Sequence, residues 1–566
     1  MAALSEAVRR EIGQHFVFGF HGQDVDDNIR SLITEYFVGN VIIMKRNIQS
    51  SAQVKAVTDA LQKLAKDSGH EKPLLIGTDQ ENGLVSAFSL ASGEAGTQFP
   101  GAMALAATGS TELTERVYRA TAEELRAAGI NWAYSPVADV NSDHRNPVIG
   151  VRSFGDDPHE VARFTAAAHR GLASGNVIAC AKHFPGHGDT HVDSHLALPR
   201  IMKSRAELDA TELVPFKALV GSFSSAEPIP SIMTGHMALP NITGDDTPCS
   251  LSRAVTTGLL RIDMKYSGVI VTDCLEMEAV AETYGSEGGA VMSLEAGADI
   301  VMICHRIDRQ RGALEATYRA IEQGRLFIDE LRISGERIRA LKDKYCGTWN
   351  DVATKHILDS VALAKLKREN LALAQEAYAT SIALVRDLNG TLPLVGGASA
   401  GLALFTPQME SVNLAVDDAE GVLRTADGTK RNTAGPSYLA LAQALSAHVE
   451  NDIQHVVYTP QSADAEFPDL GGAKSVVFAL RNADRSAWQL DMLRRVVDAA
   501  RAAQAKLVLV STCTPYDLLD VEIPGVREAA YLATFEFTKP ALETAANVIF
   551  GVTKPTGKVP VLGGKV

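Results

Sequence analysis

Short apolar runs alternate with longer amphipathic stretches along the first 345 or so residues of the chain. There are eight such runs, at residues 16–20, 40–44, 73–79, 130–137, 177–184, 231–237, 268–273 and 300–304. Continuous apolar runs of this length are typical of parallel strands that are buried on both faces. The pattern therefore predicts eight buried strands in the N-terminal part.

Segments with helical periodicity separate most of these runs. They lie at residues 26–37, 51–68, 110–128, 158–175, 204–220 and 285–296. A doubly wound open sheet would alternate in the same way, but eight strand–helix alternations match a (β/α)8 TIM-type barrel of ~250 residues or more. The count of eight favours the barrel.

A second alternating block follows a charged, helical segment that has no strand pattern. Its strand candidates lie at residues 381–387, 401–406, 455–459, 475–482, 506–512 and 529–535, and a helix is predicted at 540–550. We predict an α/β protein with a barrel over residues 1–345, a helical linker over 346–376, and a smaller doubly wound α/β domain over 377–566.

Length and charge narrow the class of protein. A chain of 566 residues is longer than a single hydrophobic core usually supports, so more than one domain is expected. The formal net charge of −14 argues against nucleic acid or an anionic membrane as partner. The N-terminus lacks the apolar segment of a signal peptide, and no run has the ~18–20 apolar residues of a membrane span. The six cysteines show no metal-type spacing. We expect a cytoplasmic protein with reduced thiols.

Polar residues follow the predicted barrel strands at the end where barrel enzymes carry their reactive groups. The residues concerned are Asp79 at the end of the third run with Glu81 just after it, Asp139 and Arg152 after the fourth, Lys182 and His183 at the end of the fifth, His236 at the end of the sixth, and Asp273 at the end of the seventh. So many charged strand ends predict an enzyme.

The segment 182–195 has the highest density of such groups. A metal site could use His183, His187, His191, Asp193 and His195 as ligands. The residues Pro185, Gly186 and Gly188 break any helix, however, so no helical His-x-x-x-His pair can form. These residues could also be no more than the polar side chains of a solvent-exposed surface loop.

A third interpretation is an Asp–His dyad. Asp193 and His195 are two positions apart, so both side chains point to one side of an extended segment. The carboxylate can then fix one imidazole tautomer, and the imidazole can donate and later accept a proton. The sequence favours this interpretation.

The same segment, KHFPGHGDTHVDSH, resembles the β-N-acetylglucosaminidase branch of glycoside hydrolase family 3. That branch carries Lys-His-Phe-Pro-Gly-His-Gly, four variable residues and Asp-Ser/Thr-His. The resemblance extends to VGNVIIMKRNI, GTDQENG, GINWAYSPVADVN, NPVIGVRSFG and YSGVIVTDCLEM, and to SIALVRDLNGTLPL and PTGKVPV in the C-terminal part. It covers almost the whole chain, more loosely after residue 400.

The resemblance implies a retaining exo-enzyme that removes terminal, nonreducing, β-linked N-acetylglucosamine without a metal or other cofactor. Asp273, in VTDCLEM, matches the family's nucleophile, and His195 matches its acid/base, oriented by Asp193. Asp79, Arg152, Lys182 and His183 match positions that bind the sugar hydroxyls, and His236 is expected to line the pocket. His187 is expected to hold the loop, and Asp139 to be structural.

Some residues depart from the family pattern. Asn82 stands where the family usually has glycine, and Leu84 and Ala87 stand where it usually has arginines. Cys274 stands where a second aspartate is common. These changes concern the substrate range, and the sequence does not distinguish chito-oligosaccharides, muropeptide fragments and glycoconjugate ends as substrates.

Two other functions stay open at the level of sequence. A histidine acid/base does not repel anions, so a phosphorylase that uses phosphate as acceptor is one alternative. A non-catalytic sugar-binding protein is the other, although the presence of Asp193, His195 and Asp273 argues against it.

Overall fold

The N-terminal part of the chain is a closed barrel of eight parallel strands. The computed structural model describes residues 4–90, 93–190, 197–221, 227–354, 359–394, 401–408, 434–463, 466–470, 472–519 and 521–562. The barrel strands are β1 (Phe16–Phe18), β2 (Asn40–Ile42), β3 (Leu75–Thr78), β4 (Trp132–Ala133), β5 (Ile178–Phe184), β6 (Ser231–Thr234), β7 (Val269–Cys274) and β8 (Ile300–Ile303).

The strands pair in chain order, and the first strand closes the ring. Phe18 on β1 is in register with Val41 on β2 and with Ile303 on β8, so the sheet has no open edge. Each predicted apolar run overlaps one barrel strand. The barrel prediction is therefore confirmed, and the open-sheet alternative for this part is wrong.

Helices surround the barrel between the strands. They are α1 (Glu6–Gln14), α2 (Asp27–Thr34), α3 (Ser51–Asp67), α4 (Ala102–Ala107), α5 (Thr111–Ala127), α6 (Pro158–Ser174), α7 (Arg205–Ala210), α8 (Leu213–Val220), α9 (Pro240–Thr243), α10 (Glu278–Ala296), α11 (Ile307–Glu322) and α12 (Ile328–Tyr345). Side-chain caps start several of them: Ser50, Ser110 and Asp157 each accept a backbone N–H of the first turn.

Two helix predictions differ from the structure. The single helix predicted over 204–220 is divided into α7 and α8 at Thr211, because Pro215 lacks the N–H that a continuous helix would bond to the Thr211 carbonyl. The helix predicted from residue 285 begins at Glu278, and Gly285 interrupts it with a φ of 64°.

The C-terminal part is a separate α/β domain. After α13 (Trp349–Thr354) and α14 (Ser360–Ser381), the chain forms β9 (Ala383–Arg386), β10 (Leu402–Pro407), β11 (Gln454–Tyr458), β12 (Ser475–Leu480), β13 (Lys506–Ser511) and β14 (Ala530–Ala533), with helices α15 (Gly435–Ser446), α16 (Ala487–Ala502) and α17 (Lys539–Ile549). The strand order is β9-β14-β13-β12-β10-β11, and the edge strand β9 alone is antiparallel to its neighbour.

This sheet has an apolar core on each face, as a doubly wound sheet requires. Leu404 on β10 packs with Leu441 of α15 on one face, and the adjacent Phe405 packs with Leu493 of α16 on the other. The predicted fold class is confirmed for this domain too. The exact domain limits at 345 and 376 stay predictions.

Within the described ranges, no helix combines the length and apolar character that crossing a bilayer would require.

A buried carboxylate joins the last two barrel strands to the surrounding helices. Asp299, which precedes β8, accepts the Ile270 backbone N–H of β7 at 2.7 Å and the Ser334 hydroxyl of α12 at 2.6 Å. It also pairs with Arg337 at 2.7 Å and with Arg261. Its charge is thus matched although the side chain is fully buried.

We expect Asp299→Asn to destabilise the barrel by about 3–5 kcal/mol, because it leaves two partly buried guanidinium groups without their anion. Urea unfolding followed by tryptophan fluorescence measures the change. Asp308→Asn, which removes an exposed partner of Arg306, is the matched control and should leave the stability close to that of the wild type. Equal effects of the two substitutions would contradict this role of Asp299.

Candidate active site

A buried carboxylate holds two cations at the carboxyl end of the barrel. Glu81 lies in a short hairpin that directly follows β3. It accepts two hydrogen bonds from Arg152, at 2.9 and 2.8 Å, and it pairs with the Lys182 ammonium at 2.7 Å. Burial by itself would raise the pKa of Glu81, but the charges of Arg152 and Lys182 lower it to about 2. Glu81 is therefore an anion at any ordinary pH.

Lys182 also connects this buried group to the mouth of the barrel. Its ammonium donates to Asp79 Oδ1 at 2.7 Å, and the Asp79 side chain is 32% exposed. Burial would lower the pKa of Lys182, but Asp79 and Glu81 raise it above its usual value. The result is a charged Lys182 with a solvent-accessible carboxylate beside it.

His183 is held in one orientation by a second buried carboxylate. Asp139 accepts from His183 Nδ1 at 2.7 Å, and its other oxygen accepts the backbone N–H groups of His183 at 3.0 Å and His187 at 2.8 Å. The other ring nitrogen, Nε2, lies 3.4 Å from Arg152 Nη2. Asp139 thus fixes both the ring and the loop that follows it.

His187 is a neutral part of that loop. Its Nδ1 lies 3.0 Å from the Thr190 hydroxyl, and its carbonyl accepts from Asn146 at 2.8 Å. Burial and the nearby His183 lower the pKa of His187 to about 4. These contacts fit a loop-holding role.

Asp273 lies at the end of β7, next to the pairs described above. Its Oδ1 accepts the Cys274 backbone N–H at 2.7 Å. Burial would raise the pKa of Asp273, but His183, His236 and the Cys274 N–H together lower it. The site therefore holds an ionised carboxylate at the strand end.

His236 lies beneath this strand end with both ring nitrogens engaged. Nδ1 is 2.7 Å from the Ser250 hydroxyl and Nε2 is 2.9 Å from the Cys274 carbonyl, and the residue is fully buried. These contacts fit a positioning role for the Asp273–Cys274 segment better than a place on the pocket wall. Direct contact between His236 and substrate stays a prediction.

The predicted dyad of Asp193 and His195 lies in residues 191–196, outside the described residues. The chain that leads to it is closely packed. A Cβ on Gly188 would come within 1.5 Å of the Val140 carbonyl oxygen, so only glycine fits there. Asn146 also donates to the Thr190 hydroxyl at 3.0 Å. The loop after β4 thus supports the start of the segment that carries the dyad.

The C-terminal domain contacts this same loop through residues that the sequence did not single out. Tyr516 accepts from Asn141 at 2.9 Å, and Arg485 donates to the Asn146 carbonyl at 3.1 Å. Nearby, the buried Glu536 accepts the Gly101 backbone N–H at 2.7 Å. The partners are more than 300 residues apart, so no local pattern could indicate them. The second domain therefore holds the segment between Asp139 and Arg152.

The residues that depart from the family pattern are packed within the protein. Leu84 is half-buried and packs against the apolar core of the C-terminal domain, and Ala87 is buried beside the hairpin. Cys274 is also buried, with its Sγ 3.8 Å from Glu276.

One group of potential metal ligands exists among the described residues. The donor atoms of Cys274, Glu276 and His305 lie within 4.8 Å of one another. Glu276 already accepts three backbone N–H groups, from residues 304 to 306, and the Arg46 guanidinium lies 3.1 Å from His305 Nδ1. A cation there would face the charge of Arg46, so the group fits a loop-fixing role.

Ion pairs and an ionised aspartate lie together at the carboxyl ends of the barrel strands, where barrel enzymes carry their reactive groups. Comparison with known proteins identifies the class of the protein. The sequence profile of the Glycosyl hydrolase family 3 N terminal domain matches residues 7–341. Beta-hexosaminidase A of Pseudoalteromonas piscicida is 29% identical over 563 residues, covering 94% of this chain and 90% of that protein.

Two solved structures are similar over nearly the whole chain. A family 3 beta-N-acetylglucosaminidase from Paenibacillus sp. str. FPU-7 is 32% identical with a TM-score of 0.82, and the match covers 99% of each chain. A fungal multi-domain family 3 beta-N-acetylglucosaminidase is 35% identical with a TM-score of 0.85; the match covers 98% of this chain and 60% of the fungal one. The protein belongs to glycoside hydrolase family 3, and it is a glycoside hydrolase.

We expect Glu81→Gln to lower stability by about 3 kcal/mol at pH 7, because the folded pKa of Glu81 is about 2 and its ordinary value is 4.5. A depressed carboxyl pKa stabilises the fold above pH 4.5, and this contribution is lost as the pH falls toward 2. The difference between wild type and variant in urea unfolding should therefore shrink below pH 4.5. The exposed Glu112→Gln is the control, and a difference independent of pH would contradict the assignment.

We expect Tyr516→Phe to lower kcat/KM about fivefold, mainly through KM, because the variant loses one hydrogen bond of about 1 kcal/mol to the loop that carries Arg152. Steady-state kinetics on an aryl glycoside measures the effect. Tyr531→Phe, on β14 of the same domain, is the matched control. Unchanged kinetics in Tyr516→Phe would show that the domain contact does not position the loop.

Proposed function

We propose that this protein is a retaining exo-β-N-acetylglucosaminidase that removes terminal nonreducing N-acetylglucosamine from β-linked saccharides. The observation that carries the proposal is Asp273, an ionised carboxylate at the end of β7 beside His183 and Lys182. The family relatives named beta-hexosaminidase and beta-N-acetylglucosaminidase support the choice of sugar.

The ion pairs would serve as the sugar-binding groups. Asp79 is exposed enough to accept hydrogen bonds from hydroxyls, while Lys182, Arg152 and His183 present donors or acceptors of fixed orientation. Charge-assisted hydrogen bonds are stronger than neutral ones, so a cluster of them selects one orientation of the ring. Because Glu81 and Asp139 hold these groups before substrate arrives, little ordering is required on binding.

In the first step the Asp273 carboxylate attacks the anomeric carbon. A bond forms from the carboxylate oxygen to that carbon, and the bond to the leaving oxygen breaks. His195, oriented by Asp193, donates its proton to the leaving oxygen. The products are the shortened saccharide and a glycosyl-enzyme ester.

In the second step water opens this ester. His195, now neutral, accepts a proton from the water as its oxygen bonds to the anomeric carbon, and Asp273 leaves as a carboxylate. Two inversions give net retention of the β configuration. No step requires a cofactor.

We expect Asp273→Asn to lower kcat at least ~10³-fold, because an amide is a poor nucleophile for the glycosylation step. Hydrolysis of 4-nitrophenyl N-acetyl-β-glucosaminide measures this, and Asp308→Asn is the control with full activity. Proton NMR of the wild-type reaction should show the β anomer first. Initial release of the α anomer, or full activity in Asp273→Asn, would refute the mechanism.

We expect His195→Ala to lower kcat/KM about 10²–10⁴-fold for substrates with a poor leaving group, because general acid catalysis is lost. The loss should be much smaller for 2,4-dinitrophenyl N-acetyl-β-glucosaminide, whose leaving group needs no proton. Equal losses on both substrates would exclude His195 as the acid. Parallel assays with and without phosphate, analysed for sugar 1-phosphate, establish whether water is the acceptor.

A further inference from the structure

A second cavity lies at the opposite end of the barrel from the candidate active site. Its volume is about 210 Å³. Asn131 and Asn176, which precede β4 and β5, form part of its wall, and residues 343–347 at the end of α12 form another part. The cavity is thus at the amino ends of the strands, and neither Asp273 nor Lys182 nor His183 lines it.

Arg126, in the last turn of α5, is the distinctive group in this cavity. In the described part of the chain it makes no salt bridge, and its Nε is buried with no hydrogen-bond partner. Burial lowers the pKa of Arg126, and only the Cys346 thiol acts in the opposite direction. An unpaired, partly buried guanidinium is costly to the fold, so an anion that pairs with it would be bound favourably.

The other cations of the wall already have partners. Lys55 pairs with Asp59 at 2.5 Å, and Lys344 pairs with Glu227. The acidic Asp343 pairs with Lys72, and Asp351 accepts the Thr348 backbone N–H at 2.8 Å. No carboxylate of the described residues shifts the pKa of Arg126. Arg126 is therefore the cation of this wall that an incoming anion would meet.

We propose that this cavity binds a small hydroxylated organic anion whose carboxylate or phosphate group pairs with Arg126. The planar guanidinium fork matches either oxyanion in a bidentate arrangement. The volume is many times the ~10–15 Å³ that one water needs, so the cavity has room for the rest of the ligand beyond its charged group. The Asn176 amide and the Tyr345 hydroxyl, both on the wall, can form hydrogen bonds with the hydroxyl groups of the ligand.

Isothermal titration calorimetry and thermal unfolding of the full chain test this proposal. The probes are glucose 6-phosphate, gluconate and inorganic phosphate, each at constant ionic strength. We expect at least one organic probe to bind the wild type and raise its Tm, and Arg126→Gln to weaken that binding tenfold or more. Arg119→Gln, an exposed position on the same helix, should bind like the wild type.

The variants separate this site from the catalytic centre. Phosphate or sugar bound beside Asp273 would still bind to Arg126→Gln, and that outcome would overturn the proposal, as would absence of binding to the wild type. If Arg126→Gln fails to fold, Arg126→Lys keeps the charge but loses the bidentate fork, and it should bind the probe more weakly. Equal affinity of Arg126→Lys and wild type would also overturn it.

Discussion

The ion pairs that Glu81 makes with Arg152 and Lys182 are the interaction on which the site depends. Two cations cannot stay desolvated at a strand end without an anion, and Glu81 provides it from a hairpin that directly follows β3. With its pKa near 2, this carboxylate keeps its charge under all ordinary conditions. Asp79 can then remain at the mouth, where it is available to a ligand, because it does not have to neutralise Lys182 alone.

A second constraint acts through Asp139 and the loop after β4. One carboxylate holds the His183 ring and two backbone N–H groups, and the loop from this residue to Arg152 is bonded in turn by the C-terminal domain. The loop that runs from Asp139 to Arg152 is therefore fixed by both domains, although it belongs to the barrel. This arrangement gives a pre-ordered site, which lowers the entropy cost of binding.

The sequence predicted the fold well because both domains are built from strands buried on two faces. Such strands appear as continuous apolar runs, and every predicted run overlaps a strand of the structure. Strand-end residues such as Lys182 and Asp273 were found by position and motif.

The partners of these groups could not be predicted in the same way. Glu81 was noted as a polar strand-end residue, but its pairing with Arg152 depends on how two loops meet in space. Tyr516 and Arg485 contact the barrel across hundreds of residues, and Pro215 divides a helix whose periodicity continues on both sides. Asp193 and His195 lie outside the described residues, so their geometry rests on the motif alone.

The packing of the two domains has a consequence for any attempt to isolate the barrel. Met103, Ala104, Ala107 and Val151 belong to the barrel part of the chain, yet they are buried in the apolar core of the C-terminal domain. Excision of the barrel would turn this contact into an exposed hydrophobic patch, and such patches favour self-association. A chimaera that joins this second domain to another barrel of the family would therefore need the same apolar surface on that barrel.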